Sequence, residues 1–388
     1  MVSFAGKSDY TMRKILLPIA LFSALLISCD NSKPADKDQE KKDEFQQRPD
    51  YSKDTLSAEL QYPQEKHLKN VKQLTFGGNN AEAYFSFDNK SLTFQSDYEK
   101  WGVQCDQIFF FDLATGDMKQ KPAMVSIGKG RTTCSYFMPG NEKIIYASTH
   151  LKDVKCPEKP PHIKGKYLWP VYESFDIFVA DKSGKIIKQL TNSKGYDAEA
   201  TVSPKGDKIV FTSTRSGDLE LWTMNIDGSN QKQITNGLGY DGGAFFSPDG
   251  KKLVFRASRP KTPEEVKEYK DFLAKGLVAP SKMEIYTCNV EGSDLKQITH
   301  LGNANWAPFF HPSGNKIIFS SNHASEGGFH FNLFMTDLEG KNVEQITFDP
   351  TFDAFPMFSF DGKKLVFSSN RNNNGTHDTN VFLADWDD

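Results

Sequence analysis

From about His67 to the C-terminus, apolar and polar residues alternate in short runs that are cut at regular intervals by Pro, Asp, Gly and Asn. The clearest unit is Phe245-Phe246-Ser247-Pro248-Asp249-Gly250-Lys251-Lys252-Leu253-Val254-Phe255. Alternation with period two on both sides of a Pro-Asp-Gly turn is the signature of a β-hairpin. The unit recurs at 202–211, 309–319 and 357–367, with weaker copies at 84–94 and 136–146. A third strand follows each hairpin, at 108–110, 176–180, 220–224, 284–287, 332–336 and 380–384. Turns such as Asp227-Gly228 and Glu291-Gly292 then lead into a fourth.

The fourth strand carries a tag: Gln189-Leu190-Thr191, Gln233-Ile234-Thr235, Gln297-Ile298-Thr299 and Gln345-Ile346-Thr347. The sixth unit has none after its third strand, whereas Gln73-Leu74-Thr75 stands unclaimed before the first. A closed ring resolves the mismatch, because the N-terminal strand then completes the last blade and no sheet edge is left open. The expected fold is all-β: a six-bladed β-propeller of four-stranded antiparallel blades, with 71–76 pairing against 380–384. The first unit has a degenerate fourth strand near 118–124. The Phe-Ser-Pro-Asp-Gly-Lys-Lys hairpin with Gln-Leu/Ile-Thr resembles the WD-like propeller repeat of the TolB family, over about 320 of the 388 residues. That resemblance implies a protein-binding platform in the bacterial envelope. In TolB itself an α/β domain precedes the propeller; here a leader stands in that place.

The leader reads as an export signal. Met12-Arg13-Lys14 is a positive start, 15–27 is apolar apart from Pro18 and Ser23, and Ser28-Cys29 ends the run. Such a span is too short and too asymmetrically flanked for a membrane helix. Leu26-Ile27-Ser28-Cys29 resembles the lipobox of bacterial lipoproteins, which implies cleavage before Cys29 and lipid on its thiol. Residues 30–64 are rich in Lys, Asp, Glu, Gln and Pro, and bury too little apolar surface to offset their ordering entropy. The expected organisation is a signal peptide at 1–28, a lipid-anchored tether at 29–66 and the propeller at 67–388. The protein is expected to be a monomer held at an envelope membrane, periplasmic or on the surface.

Composition narrows the partners. Lys and Arg number 47 against 50 Asp and Glu, so the chain lacks the basic surplus that neutralises phosphates, and no nucleic-acid partner is expected. Aromatic residues reach 13%, with 31 Phe, in keeping with many short strands.

Candidate site residues follow from the repeat. In a propeller the first strand of each blade lines the channel, and the fourth-to-first and second-to-third connections share one face. The position entering each first strand reads Asn80, Thr132, Asp197, Asp241, Asn305 and Asp353, with Arg131 beside the odd one. These side chains either cap the entering loops, as Asn and Asp do at turns, or form a polar ring at a channel mouth. The exits of the second strands give Tyr98, His150, Arg215, Arg259, His323 and Arg371. Pairing between the two rings is the first expectation, and binding an anionic group of a partner through Arg is the second. The long insertions, 151–174 and 260–282, fall on the same face, where recognition is usually placed. Pro263, early acids and Gly276 mark a helix inside the second.

Beyond Cys29, the cysteines are Cys105, Cys134, Cys156 and Cys288. An exported protein can form disulfides. Cys134–Cys156 is the first expectation, pairing of Cys105 with either is the alternative, and Cys288 reads as a buried thiol. These thiols with His150 or His162 lack the spacing of a metal site, and no metal or cofactor is expected. No Gly-x-Ser-x-Gly, His-Glu-x-x-His or phosphate-binding loop occurs. The favoured function is therefore a platform for an envelope protein or peptide, including another lipoprotein. The alternative is a carbohydrate- or peptide-processing enzyme working at the channel mouth.

Cys29→Ala is expected to release the protein from membranes or leave an uncleaved precursor. Unchanged fractionation together with an unmodified Cys29 by mass spectrometry would show the lipobox reading to be wrong.

Overall fold

The computed structural model describes residues 60–116, 120–160, 163, 165–326, 328 and 330–388. The leader, Cys29 and most of the tether lie outside the described residues, as do Met118 and His162. Six four-stranded antiparallel sheets form the blades. Their innermost strands are Asn80–Phe85, Thr132–Phe137, Asp197–Val202, Asp241–Phe246, Asn305–Phe310 and Asp353–Phe358 for blades 1 to 6. In blade 3 the order outward is Lys208–Ser213, Glu220–Asn225 and Lys232–Gln233, and the others follow the same plan. In blade 1 the fourth strand is Ala123–Met124, as short as that of blade 3.

The conserved-looking letters of the repeat have local jobs. Ser247 Oγ donates to Asp249 at 2.6 Å while accepting the Lys252 amide at 2.9 Å, which closes the hairpin turn from inside. Ser359 and Asp361 do the same in blade 6. The threonine of the Gln-Leu/Ile-Thr tag fastens the outer strand to the start of the third. Thr235 Oγ1 accepts the Leu221 amide at 2.9 Å and donates to Glu220 at 2.6 Å. Thr191, Thr299 and Thr347 repeat this with Asp176, Glu284 and Asn332. The tag glutamine turns back on its own strand, Gln233 donating to the Thr235 carbonyl at 2.7 Å. In blade 1, Ser126 replaces the threonine and bonds Ile108 and Gln107 in the same way.

The ring closes as the displaced tag requires. Leu68–Gln73 pairs antiparallel with Asn380–Trp386, Leu68 opposite Trp386 and Gln73 opposite Phe382. The pairing therefore begins three residues before the expected start at Val71. Thr75 completes the sixth tag: it donates to Asn380 at 3.1 Å and accepts the Val381 amide at 2.9 Å.

Residues 60–66, which the sequence assigns to the tether, pack onto the ring instead. Leu60 lies against the apolar core of blades 5 and 6, and Tyr62 donates to Asp349 at 2.8 Å. Glu65 is buried and meets Arg371 at 2.9 Å, while Arg371 reaches Asp353 on its other side at 2.9 Å. Neither Glu65 nor Arg371 exposes any side-chain surface. A carboxylate this deep is tolerated because a guanidinium awaits it, and polar composition alone could not reveal that.

The channel is not hollow. Tyr84, Tyr136, Phe245 and Phe309, from four inner strands, pack edge-on or tilted with ring centroids 5.1–6.3 Å apart. With Met357 they plug the half of the channel nearest the hairpin turns.

Arg371→Ala should strand Glu65 and Asp353 without a cation and lower global stability by about 3–5 kcal/mol, read as a shifted denaturant midpoint with one cooperative transition. Release of the N-terminal segment at an unchanged global midpoint would contradict the clasp.

Candidate functional site

The two rings of polar side chains meet each other. Asn80, Asp197, Asp241, Asn305 and Asp353 expose no surface. Each sits in a seam between blades, beside the residue that begins the third strand of the preceding blade. Asp197 accepts from Arg215 Nη2 through both oxygens at 2.8 Å and from Ser193 Oγ at 2.6 Å, and Asp241 pairs with Arg259 at 2.6 Å. Asn305 donates to the carbonyls of Met283 and Gly302, and Asn80 to those of Gly77 and Thr379. Arg131 pairs with Asp106.

Five of the exit residues pack against aromatic rings of their own blades. Arg215 is 4.8 Å from the Trp222 ring, Arg259 5.0 Å from Tyr286 and Arg371 5.0 Å from Phe367. His150 packs tilted against Phe178 at 4.5 Å and His323 against Phe334 at 4.4 Å. Each histidine Nδ1 lies 2.8 Å from the serine hydroxyl that Arg215 and Arg371 meet through Nε in their blades. The Asp–Arg pairs tie the entry of a blade's first strand to the exit of its second, and they do not stand open at a mouth.

Burial in the seams holds carboxyl groups protonated into the neutral range. Asp176 is pushed up to about 6 by burial, against the pull of Lys152. Glu220 rises to about 8 by burial and by the proximity of Asp241 and Asp218.

The open chemistry lies two residues further along each inner strand. Glu82, Cys134, Glu199, Gly243, Ala307 and Phe355 all have left-handed backbones, with φ between 45° and 60°. At each the register with the second strand slips, as in a β-bulge. A left-handed conformation costs a residue other than glycine roughly 1–2 kcal/mol. The bulge turns all six side-chain positions onto one cavity in the channel, above the aromatic plug. Its free space amounts to about 20 Å³ for water.

One wall of this chamber is a satisfied ion pair. Arg256, from the second strand of blade 4, pairs with Glu199 and donates to Tyr240 Oη at 2.7 Å. Glu199 also accepts from Tyr240 at 2.8 Å, from Thr212 at 2.6 Å and from the Gly243 amide at 2.9 Å. A Cβ on Gly243 would lie 2.1 Å from Arg256, and one on Gly242 2.5 Å from Glu199, so this cluster requires the Gly-Gly pair. The other wall holds Glu82 and Cys134. Burial raises the Glu82 carboxyl despite a hydrogen bond from the Cys134 thiol, and burial together with Glu82 holds that thiol far above its ordinary range. Among the described residues, no group of three or more His, Cys, Asp or Glu is placed to hold a metal.

The two long insertions roof the chamber. Trp169–Pro170 of blade 2 pairs with Leu277–Val278 of blade 4 in a short antiparallel ribbon. Trp169 packs 5.1 Å from both Trp306 and the Arg256 guanidinium. The helix Pro263–Leu273 begins with a capping box between Thr262 and Glu265, and buries Tyr269 and Phe272. Cys105 pairs with Cys156, their Cα atoms 6.0 Å apart, tying the blade 2 insertion to the second-to-third connection of blade 1. The expected Cys134–Cys156 bridge does not form, because the bulge turns Cys134 into the channel; Cys134 and Cys288 are free.

Residues 171–262 match the family model of the TolB beta propeller domain. The fold resembles a protein described as TolB from Agrobacterium tumefaciens, with a TM-score of 0.52 at 20% identity over 80% of this chain and 91% of that one. The chain is a six-bladed β-propeller, and its residues 171–262 are similar to the TolB propeller domain. TolB from Acinetobacter baumannii gives a TM-score of 0.48 at 18% identity, over 80% of this chain and 64% of that one. An uncharacterised protein of Agrobacterium fabrum is 34% identical over 56 residues, which is 14% of this chain and spans only 19% of that relative's length.

The chamber was legible only in part. Glu82, Glu199 and Arg256 occupy columns in which the repeat keeps no common residue, so a search for recurring letters passes over them. The available signals were Arg256 inside the otherwise apolar second strand and the Gly242-Gly243 pair, where the other copies carry side chains.

The raised Asp176 carboxyl gives a signed pH dependence. A carboxyl whose folded pKa lies above its unfolded value contributes stability at low pH, which is lost as pH rises from 3.8 through about 6. Relative to wild type, Asp176→Asn should therefore be more stable at about pH 8 than at about pH 4, by about 2–3 kcal/mol. Denaturant unfolding at both values would disprove this by giving the same difference twice.

Proposed function

We propose that the protein is an envelope-anchored platform that binds a protein or peptide with its insertion-bearing face. One observation carries this reading. Of eight large apolar side chains that are exposed among the described residues, five lie on that face: Phe76, Leu151, Val154, Tyr167 and Leu238. The blade 2 insertion alone exposes Leu151 by 58%, Val154 by 60% and Tyr167 by 64%. The disulfide and the ribbon hold this insertion at both ends, so its apolar groups are presented with little ordering entropy left to lose on binding. The opposite face is built of tight turns. Among the described residues no helix is long and apolar enough to cross a membrane. Attachment through lipid on Cys29 is the part of the proposal that rests on the leader, and a single propeller per anchor is its simplest form.

Substituting Leu151, Val154 and Tyr167 together by Ala should weaken capture of a cross-linked envelope partner by about tenfold or more without lowering the unfolding midpoint. Asp249→Ala and Asp227→Ala, on the turn face, should leave capture unchanged. The opposite pattern would assign the binding face to the turns.

A further inference from the structure

Charge in the chamber is unevenly paired. Glu199 is saturated by Arg256, Tyr240, Thr212 and the Gly243 amide. Glu82 is not: its Oε2 is fully enclosed and has no hydrogen-bond partner, and the Cys134 thiol that neighbours it is a weak donor. Two carboxyl groups thus share one guanidinium, and the chain holds Glu82 in a left-handed conformation, φ 55°, that points it there. Strain that aims an unsatisfied charge at a cavity is the kind found at binding sites.

The cavity also limits what can enter. The cavity is small, with about 20 Å³ of free space for water, which favours a compact cationic head over a bulky or hydrated one. The remaining lining is mostly apolar: Tyr84, Phe245, Phe355, Ala200 and Ala307, with Thr201 donating its hydroxyl to the Ala244 carbonyl. An ammonium head is small, offers three donors, and is attracted by aromatic faces. Access comes from one side. In the inner strands of blades 1 and 2, Ala81, Glu82, Thr133 and Cys134 are half-buried, whereas Ala198, Glu199, Gly242 and Gly243 in blades 3 and 4 are buried under the roof.

We propose that the chamber binds one protonated primary amine, with Glu82 as its counter-ion and the Tyr84 hydroxyl as a second acceptor. This site does not depend on the platform reading, because the amine needs only the channel. The charged and titratable groups around Glu82 are Arg256, Glu199, Asp106, Cys134 and Tyr84. Since burial raises the Glu82 carboxyl, the amine should bind more tightly as pH rises and that group ionises.

The test is calorimetric titration of the full-length protein with methylammonium chloride, and with tetramethylammonium chloride at matched ionic strength. Saturable binding of methylammonium alone is expected. It should weaken by about tenfold or more in Glu82→Gln, and by a smaller factor in Tyr84→Phe, which keeps the ring. Removing an unpaired buried charge should not unfold the protein, and Tyr84→Phe provides the independent check if it does. Nα-acetyl-lysine methylamide distinguishes the sources: binding by it supports a lysine carried on a chain, and binding by methylammonium alone supports a free amine. No saturable binding, equal response to both ammonium salts, or full binding by Glu82→Gln would each overturn the proposal.

Discussion

A blade cannot stand alone, and the structure depends on the ring being shut. Each four-stranded sheet has two apolar faces, and both are covered only when blades stand on either side of it. Six blades in a closed circle satisfy this without an end, provided the first and last strands of the chain meet. Here the meeting is made twice. Leu68–Gln73 supplies the outer strand of blade 6, and Glu65 then reaches Arg371, which holds Asp353 on the inner strand. One buried guanidinium therefore joins the segment ahead of the first strand to the channel side of the last blade.

Closure makes the channel a consequence. Six inner strands approaching an axis leave too little room for six large side chains at every level and too much for none. The plug at one level and the bulges at another are two answers to that geometry. Where the strands run straight, Tyr84, Tyr136, Phe245 and Phe309 fill the axis with rings. Where they bulge, six different residues come to the axis, and packing no longer dictates their chemistry. The repeat is regular wherever blade meets blade and irregular where six strands meet a cavity.

That division explains what could be read from the sequence. The hairpin letters, the displaced Gln-Leu-Thr and the Pro263–Gly276 punctuation all report local or nearest-neighbour interactions, and each appeared where its physics placed it. The ring residues Asp197, Asp241 and Asp353 were visible as a column, but a column cannot say whether a carboxylate faces water or a partner arginine. The answer depended on Arg215, Arg259 and Arg371 lying 18 positions later. The cysteine pairing depended on a bulge that rotates Cys134 inward, which no spacing rule contains. The burial of Glu65 depended on the Arg371 guanidinium and the Phe348 amide, about 300 positions away.

The roof connects these threads. The insertions that meet in the Trp169–Leu277 ribbon belong to blades 2 and 4, so the ribbon spans blade 3 and shields its inner strand. Low local dielectric strengthens a completed ion pair and penalises an incomplete one. The buried Glu199–Arg256 pair lies on the roofed side, with Tyr240 and Thr212 completing its bonds. Glu82 lies across the chamber, on the half-buried side beyond the ribbon, and it is the carboxyl left with an empty oxygen. Shielding and pairing vary together around the axis. The unpaired carboxyl sits where shielding is weakest, and its empty oxygen can be completed by a donor that enters the channel on that side.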